Sequence, residues 1–275
     1  MTAARPSPAG RYLLPNDAPD AMDRFTAFAT LFDPTTFRHF DDLGLAPGWR
    51  CWEVGAGGTS VVAHLAERVG PAGHVLATDI DVAWAADAAA PNVTVLEHDV
   101  AGKPPPGGAF DLVHARLVLV HVPERDIALA NMVASLRPGG VLLVEDADPA
   151  LQPRSCLEET CPEEVLANRL RRGFRLLLSE RGVDLAYGRT LPHRLRAAGL
   201  VDVAADAAFP IRHPALAPYV AFPRPPPGHR LAADKCETAF RAQRRYPQKC
   251  THRFASRCHT PSIALAQSLC PFLSS

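Results

Sequence analysis

Several residues in this chain have the types and spacing to do chemistry together. Glu53 stands two positions ahead of the first glycine in the loop Gly55-Ala56-Gly57-Gly58, within the string CWEVGAGGTS. Asp79 closes the apolar run HVLATD, Asp99 closes NVTVLEHD, and His121 follows LVLV. A glycine loop lets the backbone approach a ligand where a side chain would collide. Carboxylates at the ends of neighbouring runs can accept hydrogen bonds from a ligand, each charged bond contributing about 1.5–3 kcal/mol. An imidazole beside them can take up a proton near neutral pH.

Three ligands compete for such a loop. A nucleoside triphosphate needs a lysine directly after a G-x-x-x-x-G spacing, and no lysine follows these glycines. A dinucleotide needs G-x-G-x-x-G. Gly55 and Gly57 meet the first two positions, but the sixth is Ser60, where only a very small residue packs well; Asp79 would suit a nicotinamide ribose. S-adenosylmethionine fits a loop of the form [DE]-x-G-x-G, which Glu53, Gly55 and Gly57 match. A carboxylate beside a ligand ammonium is attractive, whereas the same charge beside a pyrophosphate repels it. Asp79 can then accept both ribose hydroxyls, Asp99 can accept from the adenine amino group, and Ile80 can lie against the base.

These residues need a scaffold that brings strand ends together. Residues 21–45 read as a helix with Met22, Phe25, Phe28 and Leu31 on one buried face. CWEV is a short buried strand, and SVVAHLAERVG is a helix with Val61, Val62, Leu65 and Val69 on one stripe and Gly70 as its stop. HVLATDID, NVTVLEHDV, AFDLVHARLVLV and VLLVEDAD read as further strands. VAWAADAAA and ERDIALANMVASLRPGG read as helices, the second closed by Pro-Gly-Gly. Strand and helix alternate over short connections. The expected fold is α/β: a Rossmann-like, doubly wound, mostly parallel sheet with helices on both faces. EEVLANRLRRGFRLLLSERG interrupts the alternation as a helical cap, and LPHRLRAAGLVDVAADAAFPIR returns to helix and then strand.

The order of these signals carries a resemblance. From YLLPND through APGWRCWEVGAGGTSVVAHLAERVGPAGHVLATDID to LRPGGVLLVEDAD, residues 11–210 resemble a class I S-adenosylmethionine-dependent methyltransferase of the small-molecule type. The resemblance implies methyl transfer to a small organic acceptor, with S-adenosylmethionine as cofactor. It implies that Glu53, Gly55, Ala56, Gly57, Asp79, Ile80, Asp99 and Val100 line that cofactor, with the backbone at Ala115 and Arg116 facing the methionine ammonium. Two departures stand out. Thr59 occupies a position where many relatives have a further glycine, and its hydroxyl is read here as a cap for the following helix. The family's last, antiparallel strand is not visible in the C-terminal sequence. An NAD(P)-dependent oxidoreductase and a catalytically silent cofactor-binding protein are the alternative readings.

For the acceptor side, His121 is the candidate general base, because it follows the fourth strand near the carboxyl ends where ligands bind in open sheets. Glu145 and Asp146 end the fifth strand and are candidate substrate contacts, as is Phe174 in the cap. His114, inside a strand, reads as structural. Asp146 and Asp148 are too few to define a metal site, and no metal is expected. The domain plan is an N-terminal helical lid over 1–45, a methyltransferase domain over 46–212 with a cap insertion at about 150–186, and an atypical tail over 213–275. Tyr12 and the first helix are placed to fold over the cofactor.

Bulk composition narrows the partners. The formal net charge is zero, which supplies no general attraction to nucleic acid or anionic membrane. No run approaches the ~20 apolar residues of a membrane helix, and MTAARPSPAGRYLLPND lacks the apolar core of a secretory signal. A cytoplasmic location is expected. The neutral total hides an asymmetry, since residues 222–275 hold nine Lys/Arg against two Asp/Glu. That tail carries Cys236, Cys250, Cys258 and Cys270 without a closely spaced zinc pair, and without the aromatic interleaving of an RNA module. It reads as a poorly packed extension, and its abrupt change of texture fits a shifted reading frame. Oligomeric state is not encoded in any motif.

Overall fold

The computed structural model describes residues 21–82, 87, 90–151, 154, 156, 159–207 and 266–269. The elements are α1 (Ala21–Asp42), β1 (Arg50–Val54), α2 (Ser60–Val69), β2 (His74–Asp79), β3 (Val93–Glu97), β4 (Phe110–Arg116), a short 3-10 turn (Leu119–His121), α3 (Arg125–Ser135), β5 (Leu136–Ala147), α4 (Pro162–Glu180), α5 (Tyr187–Ala197) and β6 (Ala266–Leu269). The strands form one sheet in the order β3-β2-β1-β4-β5-β6, with every pair parallel.

The apolar strands fold this way because each must be covered twice. β1 is buried from Cys51 through Val54, and β2 from Val75 through Asp79. Strands buried on both faces belong in parallel sheets flanked by helices. One face, with Trp52, Val54, Val113, Leu142 and Val144, packs against Met132 of α3, Leu178 of α4 and Leu191 of α5. The other, with Cys51, Val75, Ala77, Leu112 and Leu143, packs against Phe40 of α1 and Val62 and Leu65 of α2. Each leucine fully buried in these layers contributes roughly 1.5–3 kcal/mol. α2 buries the expected stripe of Val61, Val62, Leu65 and Val69 and ends at Gly70, whose φ of 62° suits glycine.

Four local expectations change. Thr59 makes no side-chain cap bond to α2; its carbonyl instead accepts the Ala63 N–H as an ordinary helical bond. The Leu136–Gly140 segment does not prolong α3, which ends at Ser135. It forms the leading part of β5, with a register shift against β4 between Phe110 and Leu112. Gly140 permits this, because a Cβ there would stand 2.7 Å from the Phe110 carbonyl oxygen. α1 buries Ala27, Leu31, Thr36, His39 and Phe40, so its inner face is rotated from the expected line and Met22 is exposed. Finally, a short strand does come from the tail, but β6 runs parallel to β5 rather than antiparallel.

Residues 201–207 carry no strand, and residues 208–212, where the sequence also places it, lie outside the described residues. So do Tyr12, most of the VAWAADAAA segment and the remainder of the tail. No described helix is long and apolar enough to cross a membrane.

Candidate active site

The chain runs from β1 out to β3, then crosses back to β4 on the other side of β1. This reversal opens a crevice at the carboxyl ends of β1 and β4, the usual ligand position in open α/β sheets. A cavity of about 530 Å³ lies there, within the ~300–1,000 Å³ of small-molecule sites. Its walls come from α1 (Phe25, Phe28), the loop after β1 (Gly55–Gly58), the ends of β2 and β3, and the segment from Arg116 to Glu124, with Ile127 of α3.

The glycine loop forms a cradle that side chains would fill. Gly55 and Gly57 have φ of 66° and 57°. A Cβ on Gly55 would drive into Val118 Cγ2, and one on Gly57 would stand 2.9 Å from the Phe25 ring. Replacing Gly55 by alanine is therefore expected to destabilise the fold by about 1–3 kcal/mol from backbone strain alone, read as a lower midpoint in urea unfolding. Leu117 also lines the cavity with a positive φ of 58°, and its N–H is fixed to the Glu145 carbonyl at 2.7 Å. A left-handed leucine is costly, and here it turns the chain from β4 around the cavity wall.

Asp79 closes the loop from the adjacent strand. Its Oδ2 accepts the Gly57 N–H at 2.9 Å, and its Oδ1 accepts the Asp81 N–H at 3.1 Å. Burial raises its pKa, partly offset by those amide bonds. Asp99 Oδ1 accepts the Ala101 and Gly102 N–H groups at 3.0 Å each, shaping the turn beyond β3. Ile80, Asp99, Val100, Ala56 and Arg116 all line the cavity with Asp79.

Glu53 does not. Strand alternation turns Trp52 and Val54 to one face and Glu53 to the other, where its carboxylate lies 2.5 Å from His114 Nδ1 and is 2 % exposed. His114 Nε2 stands 3.4 Å from Glu145 Oε2. Glu145 in turn accepts from Thr36 Oγ1 at 2.5 Å and lies 2.8 Å from His39 Nδ1, both on α1. Burial opposes charge on His114, yet the two glutamates carry its pKa up to about 9. Burial likewise opposes charge on Glu145, but the two histidines hold it down at about 2. This buried network clamps α1 to the sheet beneath the site.

Of the acceptor-side candidates, His121 lines the cavity. Burial, followed by Arg125 and Arg24, lowers its pKa to about 4, so the imidazole is neutral at pH 7. Glu145, Asp146 and Phe174 are not cavity-lining residues, and Ala115 is buried in the strand. Asp146 is raised to about 7 by burial, and its Oδ2 accepts the Val120 N–H at 2.9 Å, supporting the turn that carries His121. Phe174 packs on the core cluster that includes Leu178. Asp148 pairs with Arg189, and among the described residues no three His, Cys, Asp or Glu groups gather for a metal. The sequence reading missed Phe25, Phe28, Val118, Val122 and Ile127 as wall residues. Val118, Val122 and Ile127 flank the candidate polar groups, whereas Phe25 and Phe28, expected on the buried stripe of α1, are only half-buried.

The fold and the glycine cradle define a Rossmann-like crevice at the strand ends, and comparison with known proteins gives the family. Residues 52–144 match the methyltransferase domain family, and the chain carries a domain of the class I S-adenosylmethionine-dependent methyltransferases, which take S-adenosylmethionine as methyl donor. It is 31% identical over 135 residues to the ubiquinone/menaquinone biosynthesis C-methyltransferase UbiE of Vibrio cholerae, covering 46% of this chain and 52% of that one. It is 31% identical over 189 residues to nocamycin O-methyltransferase of Saccharothrix syringae, covering 62% of this chain and 66% of that one. Among solved structures it is similar to Haemonchus contortus phosphoethanolamine N-methyltransferase 2, with 18% identity, a TM-score of 0.49, and coverage of 67% and 43%. The chain spans about half the length of the first curated relatives it matches.

Proposed function

We propose that this chain transfers the methyl group of S-adenosylmethionine to a small organic acceptor. The observation that carries the proposal is the charge of the glycine-lined cavity. Among the described residues its acidic lining groups are Asp79, Asp99 and Glu124, against the guanidinium of Arg116, which is itself paired with Asp33. Such a wall attracts a sulfonium and an ammonium and repels a pyrophosphate. That favours the sulfonium cofactor over the nicotinamide dinucleotides.

When bound, this cofactor supplies an electrophilic methyl on sulfur, so the chain need only position and shield. The glycine cradle with Asp79 fixes the donor half. The apolar wall of Phe25, Phe28, Val118, Val122 and Ile127 excludes water and accepts a partly apolar co-substrate. Holding the acceptor atom in line with the methyl–sulfur bond contributes roughly 7–11 kcal/mol. In that arrangement the acceptor's lone pair would form the new bond to carbon as the carbon–sulfur pair returned to sulfur. An acceptor O–H or N–H must also lose a proton, and neutral His121, which lines the cavity, is a group able to take it.

His121→Gln is then expected to lower kcat by about 10²-fold or more for an O–H or N–H acceptor, with S-adenosylhomocysteine affinity nearly unchanged. The function is tested by supplying methyl-labelled S-adenosylmethionine with a panel of phenols, carboxylic acids, amines and acidic carbon compounds. Label transfer matched by S-adenosylhomocysteine release supports the proposal. Tight cofactor binding without transfer to any class would instead mark a silent binding protein.

A further inference from the structure

We infer that Arg125 is a positioning residue for proton removal from the acceptor, latching the turn that carries His121 to the loop that follows α4. This rests on the role proposed above for His121 and extends it to how the imidazole is held. The 3-10 turn Leu119–His121 follows the left-handed Leu117, and α3 begins four residues after His121. So short a turn cannot satisfy its last carbonyls internally. Where such groups are shielded from water they need donors from elsewhere in the chain.

Arg125 supplies them from the first position of α3. Its Nε donates to the Val122 carbonyl at 2.9 Å and to the Leu119 carbonyl at 3.3 Å, one on each side of His121 in the sequence. Its Nη2 donates to the Gly182 carbonyl at 2.6 Å, and its Nη1 lies 3.9 Å from Asp184 Oδ2. Gly182 has a φ of 86°, a conformation that suits glycine and turns the chain back just past the end of α4. The Asp184 N–H completes the join by donating to the Val120 carbonyl at 3.3 Å. The guanidinium also stands 5.8 Å from the centre of the buried Tyr187 ring, within cation–π range. Glu124 and Ile127 line the cavity and Arg125 does not, so it acts on His121 from behind the wall. The charged groups around the turn are Arg125 and Glu124 at the start of α3, Arg24 of α1, Asp146 of β5 and Asp184 after α4. Leu178 and Val183 pack in the same core cluster as Leu119 and Val120. The end of the cap helix and the proton acceptor are thereby joined through one side chain.

The test combines histidine titration by NMR with turnover, both on the full chain. The His121 ring resonance is assigned by its absence in His121→Gln, then followed in wild type, Arg125→Met and Arg125→Lys. Arg125→Met removes a cation beside the imidazole, so the His121 titration should move to higher pH and carry the acidic limb of kcat with it. At pH 7 its kcat toward whichever phenol, carboxylic acid or amine accepts label should fall by about 10²-fold, with S-adenosylhomocysteine affinity within about 2-fold of wild type. Arg125→Lys keeps the charge but cannot span both sets of carbonyls. Its titration should stay near wild type while kcat still falls by about 10-fold. Either an unmoved His121 titration or wild-type kcat in Arg125→Met overturns the inference. So does a loss of S-adenosylhomocysteine affinity as large as the loss of kcat, which general loosening of the fold would produce. If Arg125→Met does not fold, wild-type kcat in Arg125→Lys overturns it instead. A wild-type chain that passes label to no acceptor is a separate result and overturns the methyl-transfer proposal itself.

Discussion

Replacing His114 with leucine is expected to lower folding stability by about 3–5 kcal/mol, the usual cost of breaking a buried ion pair from one side. Glu53 and Glu145 would be left 2 % and 0 % exposed without the imidazolium between them. His39 and Thr36 of α1 and Arg116 of β4 complete the polar surroundings, so the loss should also loosen α1 and with it Phe25 and Phe28 in the cavity wall. Chemical unfolding near neutral pH reads the effect, and a change under about 1 kcal/mol would show that the network is not held by charge.

The pH dependence carries a sign that can be checked on the same protein. His114 is raised from 6.5 to about 9, so its stabilisation is complete below the unfolded value and is lost as pH climbs from about 6.5 through 9. Asp146, raised from 3.8 to about 7, acts in the same direction over its own lower window. Glu145 is depressed from 4.5 to about 2, so its contribution is present above the unfolded value and disappears as pH falls through 2. The His114→Leu protein should lose the part of the alkaline decline that lies between about 7 and 9. If wild-type stability instead rose across that interval, the imidazolium assignment would be wrong.

Asp79→Ala should weaken S-adenosylhomocysteine by about 10²-fold or more. Two charged hydrogen bonds to a ligand, at about 1.5–3 kcal/mol each, set that scale. The same substitution releases the Gly57 N–H and the Asp81 N–H, so the cradle loses its brace as well as its acceptor. Asp79→Asn separates the two, since an amide oxygen can still brace one backbone N–H while the charge is gone. It should fall between wild type and alanine. Because burial raises the Asp79 pKa, wild-type affinity should begin to fall on acidification at a higher pH than an ordinary aspartate would give. Unchanged affinity in both variants would remove Asp79 from the site.

The alternation of elements was legible because parallel strands buried on both faces, such as β1 and β2, must be nearly continuous apolar runs. Asp79 was legible for a related reason, because it is the polar residue that ends such a run, whereas Asp99 follows β3, an edge strand of half-buried and exposed residues. Glu53 was misplaced although period-2 alternation was in the sequence. An acid next to a glycine loop invites a ligand role, whereas its actual partner, His114, lies 61 positions away. The inner face of α1 was hidden in the same manner. Thr36 and His39 are buried there because Glu145, over a hundred residues on, satisfies them. No local pattern announces polar residues whose burial depends on distant partners. The β5 lead-in was missed because Pro-Gly-Gly ordinarily ends a helix, and only the close approach to the Phe110 carbonyl shows why Gly140 belongs to a strand.

The most direct test is a calorimetric comparison of the full chain with S-adenosylhomocysteine, NAD and NADP under one set of conditions. The acidic, glycine-lined cavity predicts one-to-one binding of S-adenosylhomocysteine at micromolar concentration and no detectable binding of either nicotinamide dinucleotide. Micromolar binding of NAD or NADP without S-adenosylhomocysteine binding would contradict it.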